Sequence, residues 1–202
     1  MRTTTLLLLT LFIIAATSGT AQDKGKKSAA PSQDEVMKRW KDAATPGAAH
    51  KVLDDLVGSW DIESSAWMNG PDKPPSVTKG TAEVAWVLDG RFIRQEMTGE
   101  MMGAPMNGIG FSGYDNFKKK YTSFWIDNTG TAMFTSEGTL DRGGKVLTYE
   151  GRMDDPATGQ KDKKVRYVVT IVDHDKNIFQ ILDPSIPGSN KRVAEIVYTR
   201  KK

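Results

Sequence analysis

The sequence predicts an all-β domain: a ten-stranded antiparallel meander that closes into a barrel, preceded by two short α-helices. Three observations carry this. From Ser59 to Arg200 the chain runs in short segments rich in Val, Ile, Thr and aromatics, the composition of pleated strands. Clusters of Gly, Pro, Asn and Asp interrupt those segments about every ten residues. No stretch between the clusters is long and periodic enough to be a crossover helix, so sequential strands should pair antiparallel.

At the N-terminus, Met1 and Arg2 precede an almost purely apolar run, Leu6 to Ala16, and then Gly19, Thr20 and Ala21. A basic start, a short hydrocarbon stretch and small residues three apart predict a signal peptide over residues 1–21, removed after Ala21. A spanning helix needs about 20 apolar residues, more than this run supplies. The expected location is therefore periplasmic or secreted, with no membrane span. With no Cys there is no lipid attachment site and no disulfide, so stability must come from burial alone.

Residues 22–31, rich in Lys, Ala and Gly, read as a flexible leader, and residues 32–202 as one domain. Ser32 stands three before Glu35, a capping-box spacing, and Val36, Met37 and Trp40 follow at helical intervals. Thr45 before Pro46 suits the start of a second helix, with Ala49, Val52, Leu53 and Leu56 on one stripe and Gly58 at its end. Both helices are short and need a surface to cover. From Ser32 onward acidic and basic residues balance, which argues against a nucleic-acid-binding face.

The breaks that follow are Asn69–Pro71, Asp89–Gly90, Gly103–Pro105, Asp115–Asn116, Asn128–Gly130, Asp141–Gly144, Asp154–Gly159, Asp173–Asn177 and Asp183–Asn190. Consecutive strands with one apolar face end as a two-sheet sandwich or as a closed sheet without edges. Gly58, Ser59 and Trp60 at the first strand, with Arg200 at the last, favour closure, because a barrel makes those strands neighbours and lets the Arg200 guanidinium stack on the Trp60 indole.

That pairing of Gly-x-Trp with a terminal basic residue resembles the calycin group, the lipocalins and fatty-acid-binding proteins. A more extensive resemblance is to the bacterial family called domain of unknown function 1579. It rests on Pro46, Gly47, His50, Leu53, Leu56, Gly58 and Trp60; on Gly90, Arg91, Phe92, Gln95 and Glu96; on Gly99 to Gly103 and Gly113 to Asn116; on Lys119, Lys120, Tyr121, Trp125, Ile126 and Asp127; on Ser136 to Gly138; and on Glu195 with Val197 to Arg200. The resemblance implies a calycin-like barrel and brings no catalytic residues. The helices here precede the first strand, so a helical lid inserted after it is not implied.

A ten-stranded barrel has room for a small ligand. The expected function is noncatalytic binding of a small hydrophobic or amphipathic molecule, with a weak hydrolase or a structural or protein-interaction barrel as alternatives. Alternation puts Tyr121 and Trp125 on one face of their strand and Met133 and Glu137 on one face of the next. A tight turn at Asn128–Gly130 would set Trp125 opposite Met133 and Tyr121 opposite Glu137. With Glu96 and Arg166 these six residues form the candidate site, aromatic walls with polar anchors. Paired interior carboxylates, Glu96 and Glu137, would be the acid and base of the hydrolase alternative. Met101, Met102 and Met106 crowd one hairpin and read as an apolar contact patch, with Cu(I) binding as the sharper alternative. His50 and His174 lie off the interior strand faces and supply no haem ligand or zinc site, and no Gly-rich loop leads from a strand into a helix, so no cofactor is expected. Nothing in the sequence indicates an oligomeric state.

Overall fold

A computed structural model describes residues 30–156, 158–188 and 191–202. The expected signal peptide and nearly all of the leader lie outside these residues. The first helix, α1 (Gln33–Ala44), starts at Ser32, whose side chain accepts the Glu35 backbone N–H at 3.2 Å. The second helical region is shorter than its apolar stripe implies: α2 (Ala48–Lys51) tightens into a 3-10 turn over Val52–Leu56. Thr45 does not begin it. Thr45 closes α1, its hydroxyl donating to the Lys41 carbonyl at 2.7 Å, and Gly47 is the cap of α2, its N–H donating to His50 Nδ1 at 3.1 Å.

Ten strands follow: β1 (Gly58–Ala66), β2 (Ser76–Val87), β3 (Phe92–Met101), β4 (Ala104–Asp115), β5 (Lys120–Asp127), β6 (Phe134–Leu140), β7 (Val146–Asp155), β8 (Gln160–Asp173), β9 (Lys176–Leu182) and β10 (Arg192–Arg200). Each pairs antiparallel with its neighbour in sequence, and β1 pairs with β10 from Trp60↔Arg200 to Ala66↔Ala194, so the sheet is a closed barrel. Closure leaves no strand edge, which suits a chain whose strands are long, up to 14 residues in β8.

α2 and the 3-10 turn after it plug one end, whereas α1 buries no residue and leaves Met37 and Trp40 exposed, so the surface expected for its apolar stripe is not supplied by the barrel. Leu53 is fully buried against the barrel core of Trp60, Ile62, Val84, Ile93, Leu147 and Tyr198. Side chains from the barrel fasten the plug: Trp60 Nε1 donates to the Leu56 carbonyl at 3.1 Å, Trp86 Nε1 to Asp54 Oδ1 at 2.9 Å, and Tyr121 Oη to the Ala49 carbonyl at 2.9 Å. The Arg200 guanidinium lies 4.2 Å from the Trp60 ring centroid and donates to the carbonyls of Val57, Asp55 and His174. A Cβ on Gly58 would collide with that guanidinium, and Gly58 sits at φ 140°, so the glycine is required twice over.

Candidate functional site

Trp60, Ile62, Ala82, Val84 and Ile93 are buried, and alternation from them assigns the inward positions of every strand. On β3 these are Ile93, Gln95 and Met97; on β5, Tyr121, Ser123, Trp125 and Asp127; on β8, Lys163, Val165, Tyr167, Val169 and Ile171; on β9, Asn177, Phe179 and Ile181, with Asp183 one residue past the strand's end and bound to Lys163. Burial along them is uneven, and Met97, Ser136 and Val165 are buried although they lie away from the plug. Toward the plugged end Trp60, Tyr121, Leu147, Ile171, Asn177 and Tyr198 are inaccessible. Further along, Gln95, Ser123, Trp125, Tyr167, Phe179, Ile181 and Ile196 face inward yet are only half buried. Neighbouring strands cover both sides of an inward side chain in a closed barrel, so its exposure must come from space inside or from the open end. That end, among the described residues, carries strand connections and no helix.

Glycine makes room for an inward aromatic ring. Trp125 lies across Gly108 and Gly110 of β4, where a Cβ at either position would enter the indole ring. Its Nε1 donates to Asp127 Oδ2 at 2.8 Å. Across the hollow Tyr167 and Phe179 stack with centroids 5.9 Å apart and planes 16° apart. Polar inward groups are paired: Gln95 Nε2 donates to Tyr198 Oη at 3.0 Å, and Ser123 and Ser136 share a hydrogen bond of 2.6 Å. Burial pushes the Tyr198 phenol up to about 12, against a smaller opposing effect of the Gln95 hydrogen bond, so the phenol is neutral at physiological pH.

Lys163 stands at the open end between Asp183 at 2.8 Å and Asp155 at 3.4 Å. Burial raises the Asp183 carboxyl, and hydrogen bonds from Lys163 and Ser185 outweigh it, leaving the group ionised below its ordinary range. Asp127 behaves alike: burial raises it, and hydrogen bonds from Thr129 and Trp125 bring it lower. Among the described residues no group of three or more His, Asp and Glu is placed to hold a metal ion.

Of the six residues expected to form the site, Trp125 lies in the half-open part of the hollow. Tyr121 also faces inward, at the plugged end, where with Ala49, Val52, Tyr114 and Leu140 it lines a groove of about 460 Å³ beside the plug. The other four need correction. β5 and β6 are joined by Asn128–Met133, not by a tight turn: Asp127 binds Thr129, and Asn128 turns onto β4, accepting the Asn107 N–H at 2.8 Å and donating to the Pro105 carbonyl at 3.1 Å. Pairing therefore begins at Trp125↔Phe134 and Tyr121↔Gly138, one residue from the expected register. A one-residue slip exchanges the faces of a strand. Glu137 consequently points outward to Lys118 at 2.6 Å, and Met133 is exposed in the connection. Glu96 faces outward and pairs with Arg94; Arg166 faces outward and pairs with Glu150 at 2.7 Å. With Glu96 and Glu137 both outside, these two do not form the interior carboxylate pair of the hydrolase alternative.

The inward residues that sequence reasoning passed over are Gln95, Tyr167, Phe179, Lys163 and Asp183, whereas strand alternation already sets Asp127 on the face of Tyr121 and Trp125. Gln95 and Asp127 belong to segments already singled out in the sequence. Tyr167 and Phe179 carried no signal beyond strand alternation. Met106 faces inward opposite Gly99, and Met101 and Met102 are exposed at the β3–β4 turn, where Met102 and Gly103 have φ of 54° and 80°.

Residues 45–200 match the family model described as Protein of unknown function (DUF1579), so the chain belongs to that family. Among solved structures it is similar to Rv2717c from M. tuberculosis, with 15% identity and a TM-score of 0.52 over 78% of this chain and 100% of that one. It is also similar to the S-type phycobiliprotein lyase CPES from Guillardia theta, with 12% identity and a TM-score of 0.51 over 85% of this chain and 99% of that one. At these identities the likeness shows the fold. No curated protein matches.

Proposed function

We propose that this member of the DUF1579 family is a calycin-like binding protein that encloses a small hydrophobic or amphipathic ligand, entering at the end opposite the helical plug, without catalysing a reaction. The observation that carries the reading is the incomplete burial of part of the inward face. A barrel filled by its own side chains keeps its inward residues dry throughout, whereas Trp125, Tyr167, Phe179 and Ile196 retain accessible surface. Aromatic and aliphatic walls with a few polar groups are the make-up of a small-molecule pocket. The similarity to a phycobiliprotein lyase adds a neighbour whose name denotes action on a chromophore-carrying protein. Export after removal of residues 1–21 belongs to the same proposal and rests on the sequence pattern alone.

Native mass spectrometry of protein purified from its own host, followed by solvent extraction, tests the ligand. A copurifying small molecule, or saturable uptake of an apolar fluorophore quenched by Trp125 and lost in Trp125→Ala, is the expected result. No copurifying molecule and no saturable uptake would overturn the binding reading. The cleavage is tested separately by N-terminal sequencing of the host protein, which should begin at Gln22.

A further inference from the structure

The charge lining of the hollow indicates which head group it accepts. The inward positions of β1, β2, β3, β4 and β6 carry no charged residue from Trp60 through Leu140 except on β5, where Asp127 stands at the open end. β8 adds Lys163 at the same end, and Asp183, one residue past β9, reaches it at 2.8 Å. Lys163 is the cation that the strand register places inward at that end, and Asp183 and Asp155 already engage it. Lys161 lies beyond the left-handed Asp162 (φ 55°) and is exposed on the hairpin. Other nearby cations are committed to partners of their own: Arg152 to the Asp162 carbonyl, Lys191 to the carbonyls of Pro184 and Ile186, and Arg192 to Glu195 and the Trp67 ring.

A ligand carboxylate placed here would lose its water, meet Asp127 and Asp183, and find the local cation committed to two carboxylates. An ammonium head meets the reverse. Asp127 Oδ2 takes one hydrogen bond, from Trp125 at 2.8 Å, and a carboxylate oxygen has capacity for a second. The Trp125 ring beside it offers a face to a cation. Resting on the binding reading above, we infer that the hollow selects amphiphiles with a cationic head over isosteric carboxylates, with Asp127 as the residue that sets the preference.

The test is displacement of N-phenyl-1-naphthylamine from the full-length mature protein by dodecylamine, dodecanol and dodecanoate at pH 7 and below their micellar concentrations. Dodecylamine should displace the probe at a concentration at least tenfold below dodecanoate, with dodecanol between them. In Asp127→Asn the advantage of the amine over dodecanol should fall severalfold while dodecanol is unchanged. Circular dichroism of each mixture establishes that the barrel stays folded. If that variant does not fold, the comparison of the three head groups on the unaltered protein decides alone. Dodecanoate binding as tightly as the amine would overturn the preference and leave the binding reading intact. Failure of the probe to bind at all would overturn both.

Discussion

Arg200, on the last strand, sits over the ring of Trp60, on the first, with the guanidinium carbon 4.2 Å from the ring centroid and the two residues opposite each other in the β1–β10 register. The contact is also the point where the plug meets the seam, because the same guanidinium binds the carbonyls of Asp55 and Val57. One side chain thus closes the barrel and ties down its stopper.

Arg200→Ala should therefore destabilise the fold by about 1–3 kcal/mol, combining a cation–π contact with charged hydrogen bonds to the half-buried carbonyls of Asp55 and Val57. Arg200→Lys should recover less than half, since an ammonium cannot span three carbonyls from one position. Urea unfolding measures both, and a loss below about 1 kcal/mol would show that the seam is held elsewhere.

Gly108→Ala and Gly110→Ala should each cost about 1–3 kcal/mol, because the added methyl meets the Trp125 ring and forces the indole off its rotamer. Both should also alter the near-ultraviolet circular dichroism of the folded protein. Gly99→Ala is the control, since a methyl there is at ordinary contact distance, 3.9 Å from the Lys79 carbonyl oxygen. Equal effects at all three positions would contradict the packing of Trp125 described above.

Burial lowers His50 below its ordinary value of 6.5, with Arg91 acting in the same direction and a hydrogen bond to the Tyr114 backbone opposing them. The unfolded chain then binds the proton more readily than the folded one, so this contribution is present above pH 6.5 and is lost as pH falls through the folded value. Protonation also removes the Nδ1 acceptor of the Gly47 N–H. Stability should decline from pH 7.5 to pH 5, and His50→Gln should flatten that segment of the curve. An unchanged slope in the variant would remove His50 as its source.

Glu137→Gln should leave probe uptake unchanged, because the carboxylate lies outside against Lys118. Lys163→Met should behave differently: it strands Asp183, which is 5% exposed, and should cost about 3–5 kcal/mol, with the loss shrinking in acid as Asp183 takes up a proton. Equal stability of Lys163→Met and the unaltered protein at pH 7 would show that water, not Lys163, balances Asp183.

Strand existence and order were legible from residues alone, because a period of two and turn chemistry at Asp89–Gly90, Gly103 and Asp141–Gly144 are local properties that each segment carries with it. Closure was legible too, through Trp60 and Arg200 at the two ends of the meander. The first helix was set by Ser32 and its apolar spacing. The second was misjudged at its start, since Thr45 serves as the hydroxyl at the end of α1 and the chain needs Gly47 and His50 to begin again.

The sequence by itself therefore determined an all-β meander with its ends joined and helices placed before it, since those follow from periodicity, turns and chain order. Only the tertiary structure decided which face of β6 looks inward. That phase depends on how Asn128 and Asp127 fold the connection onto β4, a contact between residues about 20 apart in sequence that no local pattern encodes. One residue of register moved Glu137 and Met133 out of the barrel and left Trp125, Asp127, Lys163 and Asp183 to define its mouth.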